Sequence, residues 1–213
     1  MKVIEAIIFD MDGVIVDSEP LHERAFIEVF EEMGYGTSHG MDFPAYYGRS
    51  DKTLWLDFVS KHKPPQPLDE LMTWKQDRFL DILRKEQPIF ESLPELIEKL
   101  SRHYKLALAS GSLHVVIDEV MAMKSLRQYF ATRVSVEDVP HGKPAPDVFL
   151  RAAELLGVNS SRCCVIEDSA AGVQAARSAG MQVIAITNTL PAERLAAATH
   201  IVGTYQQIEG LLL

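Results

Sequence analysis

Short apolar runs separated by segments of helical period recur along this chain of 213 residues. Ile4–Phe9, Lys105–Ala109, Thr132–Val136, Cys163–Ile166 and Gln182–Ile186 read as strands, with helix-period stretches between most of them. That rhythm predicts an α/β fold of three layers, a parallel sheet with helices on both faces, because parallel neighbours need a crossover and a helix is the usual one. Helix punctuation supports it. Pro146 opens Asp147–Leu156 with Gly157 behind it, and Gly180 closes Ser169–Ala179.

One interval breaks the rhythm. Nearly a hundred residues separate the first strand from the second, far more than a single crossover helix needs. Leu21–Met33, Lys52–His62 and Leu68–Lys85 show helical periodicity there, and Lys63-Pro64-Pro65-Gln66-Pro67 is a stiff break between two of them. The expected organisation is a helical cap over 18–87 inserted into a core made of 1–17 and 88–213. Trp55 and Trp74 both fall in the cap, where packing in its core is the simpler role and stacking on a substrate the alternative.

Composition narrows the function classes. With 47% hydrophobic and 24% charged residues the chain is an ordinary globular sequence. A formal net charge of -9 and the lack of any basic block argue against nucleic acid as a partner. No apolar run approaches the roughly 18 residues of a membrane span, and Glu5 and Asp10 interrupt the N-terminal apolar stretch before a signal-peptide core could form. Cys163 and Cys164 are adjacent in a strand-like run, cannot staple distant segments and lack metal-ligand spacing, so reduced core thiols in a cytoplasmic protein are expected.

In open parallel sheets ligands bind beyond the carboxyl ends of the strands, and here those ends are polar. The first strand runs into Asp10-Met11-Asp12, two carboxylates that repel unless a cation or proton compensates one of them. A divalent metal would do so; a turn or helix-cap pair is the plainer reading. The second strand ends in Ser110-Gly111-Ser112, where Ser110 could donate to a phosphoryl oxygen or cap a helix. The fourth ends in Glu167-Asp168-Ser169, again a metal pair or an N-cap. Lys143 sits in His141-Gly142-Lys143-Pro144-Ala145-Pro146, and its place before a proline leaves its backbone fewer states to lose when it points at a charged partner.

In order and context, the blocks Asp10/Asp12, Ser110, Lys143 and Glu167/Asp168 resemble the four motifs of the haloacid dehalogenase-like hydrolase superfamily. The resemblance covers essentially the whole chain, including a cap between the first two motifs and a Rossmann-like core, and points to the branch of sugar-phosphate phosphatases and beta-phosphoglucomutase. It implies that Asp10 is the nucleophile and forms an aspartyl-phosphate, and that Asp12 is the general acid and base. It also implies that Ser110, Gly111 and Lys143 bind the transferring phosphoryl group. Mg²⁺ would be held by the Asp10 carboxylate, the Asp12 carbonyl and Asp168, with Glu167 assisting. The expected partner is a small phosphorylated metabolite. Dehalogenation is disfavoured, since dehalogenases of the superfamily lack the aspartate at the position of Asp12.

In the cap, His22 occupies the place of a mutase histidine, and Lys75 in Trp74-Lys75-Gln76-Asp77 resembles a mutase lysine. Arg49 precedes Ser50 here, whereas the mutase loop has the arginine after the serine. That inversion favours a simple phosphatase, with the phosphosugar mutase as the alternative. A phospho-accepting receiver domain also uses an aspartate, an acidic pair, a Ser or Thr and a Lys around Mg²⁺. Its acidic pair precedes the phosphorylated aspartate and it carries no large insert, so it is the remote reading.

Overall fold

The computed structural model describes residues 3–47 and 50–213. In chain order the elements are β1 (Ala6–Phe9), α1 (Glu19–Glu32), α2 (Asp51–His62), α3 (Leu68–Glu86), α4 (Leu93–Ser101), β2 (Lys105–Ala109), α5 (His114–Ala122), β3 (Thr132–Val134), α6 (Asp147–Leu156), β4 (Cys163–Glu167), α7 (Ala170–Ser178), β5 (Gln182–Ile186), β6 (His200–Val202) and α8 (Tyr205–Leu212). Two compact units result, Met1–Asp17 with Pro88–Leu213, and Ser18–Gln87.

In the first unit, the described strands form one sheet in the order β3-β2-β1-β4-β5-β6, and every pairing is parallel. The expected α/β architecture holds. Ala6 and Ile8 of β1, Ala107 and Ala109 of β2, and Cys163 and Val165 of β4 share a core cluster with Val148, Phe149 and Ala152 of α6 and Val173 and Ala176 of α7. Alternation along a strand sends Ile7, Phe9, Leu106, Leu108 and Ile166 to the opposite face, and these are equally buried. Helix α4 packs against β2 and α8, and α8 packs against β6. Small residues on the α6/α7 side let those helices approach closely, while the larger Ile, Leu and Phe side chains fill the other side.

The order reverses between β1 and β4. The chain steps outward from β1 to β2 and β3, then returns to place β4 beside β1, and the groups beyond the carboxyl ends of these two strands meet at that switch point. Phe9 pairs with both Leu108 and Ile166, so Asp10, Ala109 and Glu167 follow at the same level.

Two strand expectations need correction. The run Thr132–Val136 stops as a strand at Val134, because Ser135 starts a capping box: its hydroxyl accepts from Glu137 N–H while its own N–H donates to the Asp138 carboxylate. Those side-chain bonds compete with the ladder and turn the chain. The edge strand β6 was not among the expected strands; it is three residues long with His200 and Ile201 exposed, too short and too wet to show as an apolar run.

The second unit packs α1, α2 and α3 with two short 3-10 turns around Phe26, Val29, Phe30, Phe43, Leu54, Trp55, Phe58 and Leu71. Phe26, Val29 and Phe30 recur at helical spacing and form one stripe of α1. Trp55 is fully buried among them, and Trp74 is partly buried against the edge of the cluster. Lys63 closes α2 in the left-handed region and Leu68 begins α3 immediately after the proline segment.

Candidate active site

After β1 the chain curls tightly, and the Met11 carbonyl accepts from the N–H groups of Val14, Ile15 and Val16. Gly13 makes the curl possible. Its φ of 73° lies in the left-handed region, and a Cβ there would run into the Asp168 carboxylate and the Thr189 hydroxyl. Asp10 therefore stands at the strand end with Asp168 close behind the loop. Two donors brace the far side of the curl: Asn188 Nδ2 donates to the Gly13 carbonyl at 2.7 Å and Tyr205 Oη donates to the Val14 carbonyl at 2.8 Å.

Lys143 reaches into this site from the loop that precedes α6. Its Nζ lies 2.7 Å from Asp10 Oδ1 and 2.6 Å from Glu167 Oε1, with the ammonium also over the Phe149 ring at 5.0 Å. Glu167 is fully buried and holds four donors: Lys143 on Oε1, and on Oε2 the backbone N–H groups of Asp168 and Ser169 and the Ser169 hydroxyl. Ser169 is at once the N-cap of α7, accepting from Gly172 N–H at 3.0 Å. Of the readings of this acidic stretch, the N-cap falls to Ser169, while Asp168 joins a buried cluster of carboxylates.

Asp10, Glu167 and Asp168 each offer an oxygen, and these atoms lie within 4.8 Å of one another, all three residues being buried. Burial raises the Asp10 carboxyl well above its ordinary value, and the charges of Glu167 and Asp12 push the same way against Lys143. Burial likewise raises Asp168, helped by Glu167 and Asp10 and opposed by a hydrogen bond from Thr189. For Glu167 burial is outweighed by Lys143 and Ser169, which hold it below the ordinary range. Burial would lower Lys143, yet Asp10 and Glu167 keep it above its usual value. One ammonium thus faces three buried carboxylates, and the charge deficit falls on Asp10 and Asp168. An all-oxygen, charge-deficient cluster is the donor set of a hard divalent cation, so the residues present fit Mg²⁺. With Glu167 saturated by its donors, Asp10 and Asp168 are the carboxylates better placed to ligate.

Asp12 is brought to the same strand ends. Its Oδ2 accepts from the Ser112 hydroxyl at 2.7 Å. Ser110 is fully buried, and its hydroxyl accepts from Ser112 N–H at 2.9 Å. It does not cap α5, whose N-cap is Leu113. Gly111 beside it is exposed, with open space where a Cβ would stand.

Of the residues singled out in the cap, His22 and Lys75 meet each other within the second unit. Lys75 is 0% exposed; its Nζ donates to Asp51 Oδ2 at 2.6 Å, contacts His22 Nδ1 and lies over the rings of Phe26 and Phe79 at 4.8 and 4.9 Å. His22 stacks on Phe79 at 4.0 Å between centroids. Arg49 lies outside the described residues. Asp51 escaped the sequence reading, since an acidic residue in a helix's first turn is ordinary; so did Asn188, Thr189 and Tyr205, which carry no motif. Ser112 was visible only as the last residue of Ser110-Gly111-Ser112.

Cys163 and Cys164 are free and buried, and burial pushes their thiols up to about 11 and about 12, so neither is poised as a nucleophile. None of the described helices is long and apolar enough to cross a membrane.

Comparison with known proteins shows the family and the fold. A family model described as haloacid dehalogenase-like hydrolase matches residues 7–186. The fructose-1-phosphate phosphatase YqaB of Escherichia coli is 33% identical over 84% of this chain and 94% of its own length. A phosphorylated carbohydrates phosphatase of Thermotoga maritima is 31% identical over 85% of this chain and 84% of its own. Among solved structures, CbbY from Rhodobacter sphaeroides in complex with xylulose-(1,5)bisphosphate superposes with a TM-score of 0.82 at 25% identity, covering 99% of this chain and 100% of that one.

Proposed function

The chain belongs to the haloacid dehalogenase-like hydrolase family, and from that premise we propose that it is a Mg²⁺-dependent phosphomonoesterase acting on a small phosphorylated metabolite, a sugar phosphate, through an aspartyl-phosphate on Asp10. The observation that carries this reading is the meeting of Asp10 with Lys143 at 2.7 Å beside the Asp10, Glu167 and Asp168 oxygens. A nucleophilic carboxylate, a buried cation for the incoming phosphate and a metal-type cluster serve phosphoryl transfer together. A receiver-like switch, which has no turnover, does not fit membership in a hydrolase family.

In the first half-reaction an Asp10 oxygen forms a bond to phosphorus as the phosphorus–oxygen ester bond breaks, and Asp12 gives its proton to the departing alkoxide. Water then attacks phosphorus, Asp12 takes its proton, and the acyl-phosphate bond breaks to return Asp10 and release inorganic phosphate. Lys143 offsets repulsion between the anionic ester and the Asp10 carboxylate, worth roughly 10²–10³ in rate for one such contact. Ser110 and Gly111 border the place where the phosphoryl oxygens lie. Asp10 and Asp168, with Glu167 behind them, would hold Mg²⁺, whose positive charge keeps the buried carboxylates ionised and neutralises charge developing on the phosphoryl oxygens. The overall charge of -9 disfavours nucleic acid as a substrate, and the free thiols suit the cytoplasm.

The decisive experiment compares the wild type with Asp10→Asn on an aryl phosphate, with and without Mg²⁺. Turnover that needs Mg²⁺ and vanishes in the variant is expected; undiminished turnover in Asp10→Asn removes Asp10 as nucleophile. A panel of sugar and nucleotide monophosphates then identifies the ester. Beta-glucose 1-phosphate with a bisphosphate activator belongs in it, since an isomerised product there would replace the phosphatase by the mutase.

A further inference from the structure

Asp12 can act as acid and base only if its carboxylate is held at one angle, and its exposure is intermediate. The backbone around it is braced independently of its side chain. Asn188 and Tyr205 hold the Gly13 and Val14 carbonyls on one flank. On the other flank the segment after β2 is fixed by its main chain: Ser112 N–H donates to Ser110 Oγ at 2.9 Å, and the Ser112 carbonyl accepts from Ser135 Oγ at 2.8 Å. Ser135 is itself buried and locked by its capping box after β3, with its N–H on Asp138 Oδ2 at 2.9 Å. His114 N–H, at the start of α5, donates to Glu137 Oε2 at 2.7 Å and closes the same knot.

The Ser112 hydroxyl is therefore carried on a segment that stays in place without it, and it is spent on Asp12 Oδ2 at 2.7 Å. We infer that Ser112 is the positioning residue of the general acid: its hydroxyl aims the Asp12 carboxylate from a platform that the Ser135 capping box supports. This rests on the proposed function and adds a residue to it. With Oδ2 accepting the Ser112 proton, the transferable proton belongs on Oδ1. As the ester bond breaks, its electron pair passes to the leaving oxygen and that proton joins it, while Asp10 forms the new bond to phosphorus. An Asp12 carboxylate that has lost this bond would be held less firmly and would deliver the proton less often without altering substrate binding.

The test exploits the leaving group. An aryl phosphate departs as a stabilised phenolate that hardly needs a proton, whereas a sugar or alkyl phosphate departs as a basic alkoxide that does. General acid catalysis is worth roughly 10²–10⁴, so Ser112→Ala is expected to lower kcat about 10-fold or more on an alkyl phosphate and under about 3-fold on p-nitrophenyl phosphate. KM should hold for both, and Ser112→Thr, which keeps the hydroxyl, should recover the alkyl rate. Equal losses on both esters, or a loss confined to KM, would overturn the inference. If Ser112→Ala does not fold, Ser112→Cys, close in shape with a weaker donor, is measured in the same way and judged by the same outcomes. Asp10→Asn and Asp12→Asn run alongside. A dead Asp10→Asn and a leaving-group bias in Asp12→Asn, with none in the Ser112 variant, defeats the role of Ser112 alone; a live Asp10→Asn or an unbiased Asp12→Asn defeats the mechanism beneath it.

Discussion

Gly172 lies so close to Glu167 that a methyl group on the glycine would overlap the Glu167 carboxylate. The empty side of the first turn of α7 is the space into which Glu167 folds back to take Lys143 on one oxygen and the start of the helix on the other. A missing side chain on a helix thereby fixes the ammonium that faces Asp10.

Gly172→Ala should therefore invert the usual helix rule. Ala is the better helix former by about 1 kcal/mol, but crowding a packed site costs roughly 1–3 kcal/mol, and here the displaced group is a buried carboxylate. The expected result is a net loss of stability in urea unfolding, with a fall in phosphatase turnover of at least about 10-fold as Glu167 releases Lys143. A variant more stable than wild type with full activity would mean that Glu167 has room to spare.

Metal removal offers a second check. Mg²⁺ added to EDTA-treated protein should raise Tm, by the equivalent of about 2.7 kcal/mol when the ion is at 100 times its Kd. Asp168→Asn should abolish that gain. In the metal-free state the same substitution should not destabilise, because burial and the neighbouring carboxylates already disfavour a charge there. A metal-dependent Tm surviving Asp168→Asn would place the ion elsewhere.

In the second unit, Lys75→Met should cost about 2 kcal/mol, less than the cost of breaking a fully buried pair because Asp51 can still reach water. Its carboxylate is 30% exposed against 0% for the Lys75 side chain. Lys75→Met with Asp51→Leu should recover part of that loss, and a double-mutant cycle by thermal unfolding measures the coupling. No coupling would show the 2.6 Å contact to be incidental.

Asp138 gives the pH dependence outside the active site. Burial pushes its carboxyl up, but the Ser135 N–H and His114 outweigh it and hold it below the ordinary value of 3.8. A depressed folded pKa contributes stability that is present above the unfolded value and lost as pH falls through the folded one. Asp138→Asn should thus unfold at a lower Tm than wild type at pH 7, and the gap should close as pH falls through the depressed folded value. Since the group is a third exposed, the gap is small. A gap that widens in acid would reverse the sign.

Much of this was legible along the chain because it is local. The strands β2 and β5 begin and end where the apolar runs do, and the breaks at Gly157 and Gly180 depend only on neighbours in sequence. The turn at Ser135 was not legible, since the same residues suit a strand, and the competition between ladder and capping box is decided by Asp138 and Glu137 together with Ser112 across the site. His22 and Lys75 could be singled out, but not their joint use of Asp51, because the partners come from three different helices.

The amino-acid sequence alone determined the alternation of strands and helices, the interruption after β1, and the delivery of Asp10, Asp12, Ser110, Lys143, Glu167 and Asp168 to strand ends and loops, for these follow from hydrophobic period and turn chemistry within a few residues. Only the folded chain decided how each group is used. Glu167 became the holder of Lys143, Ser112 the partner of Asp12, and Gly172 the space beside them. The physical reason is that charge pairing, desolvation and steric room act over a few ångströms in space between residues far apart in the chain, as Asp12 and Ser112 are by 100 positions.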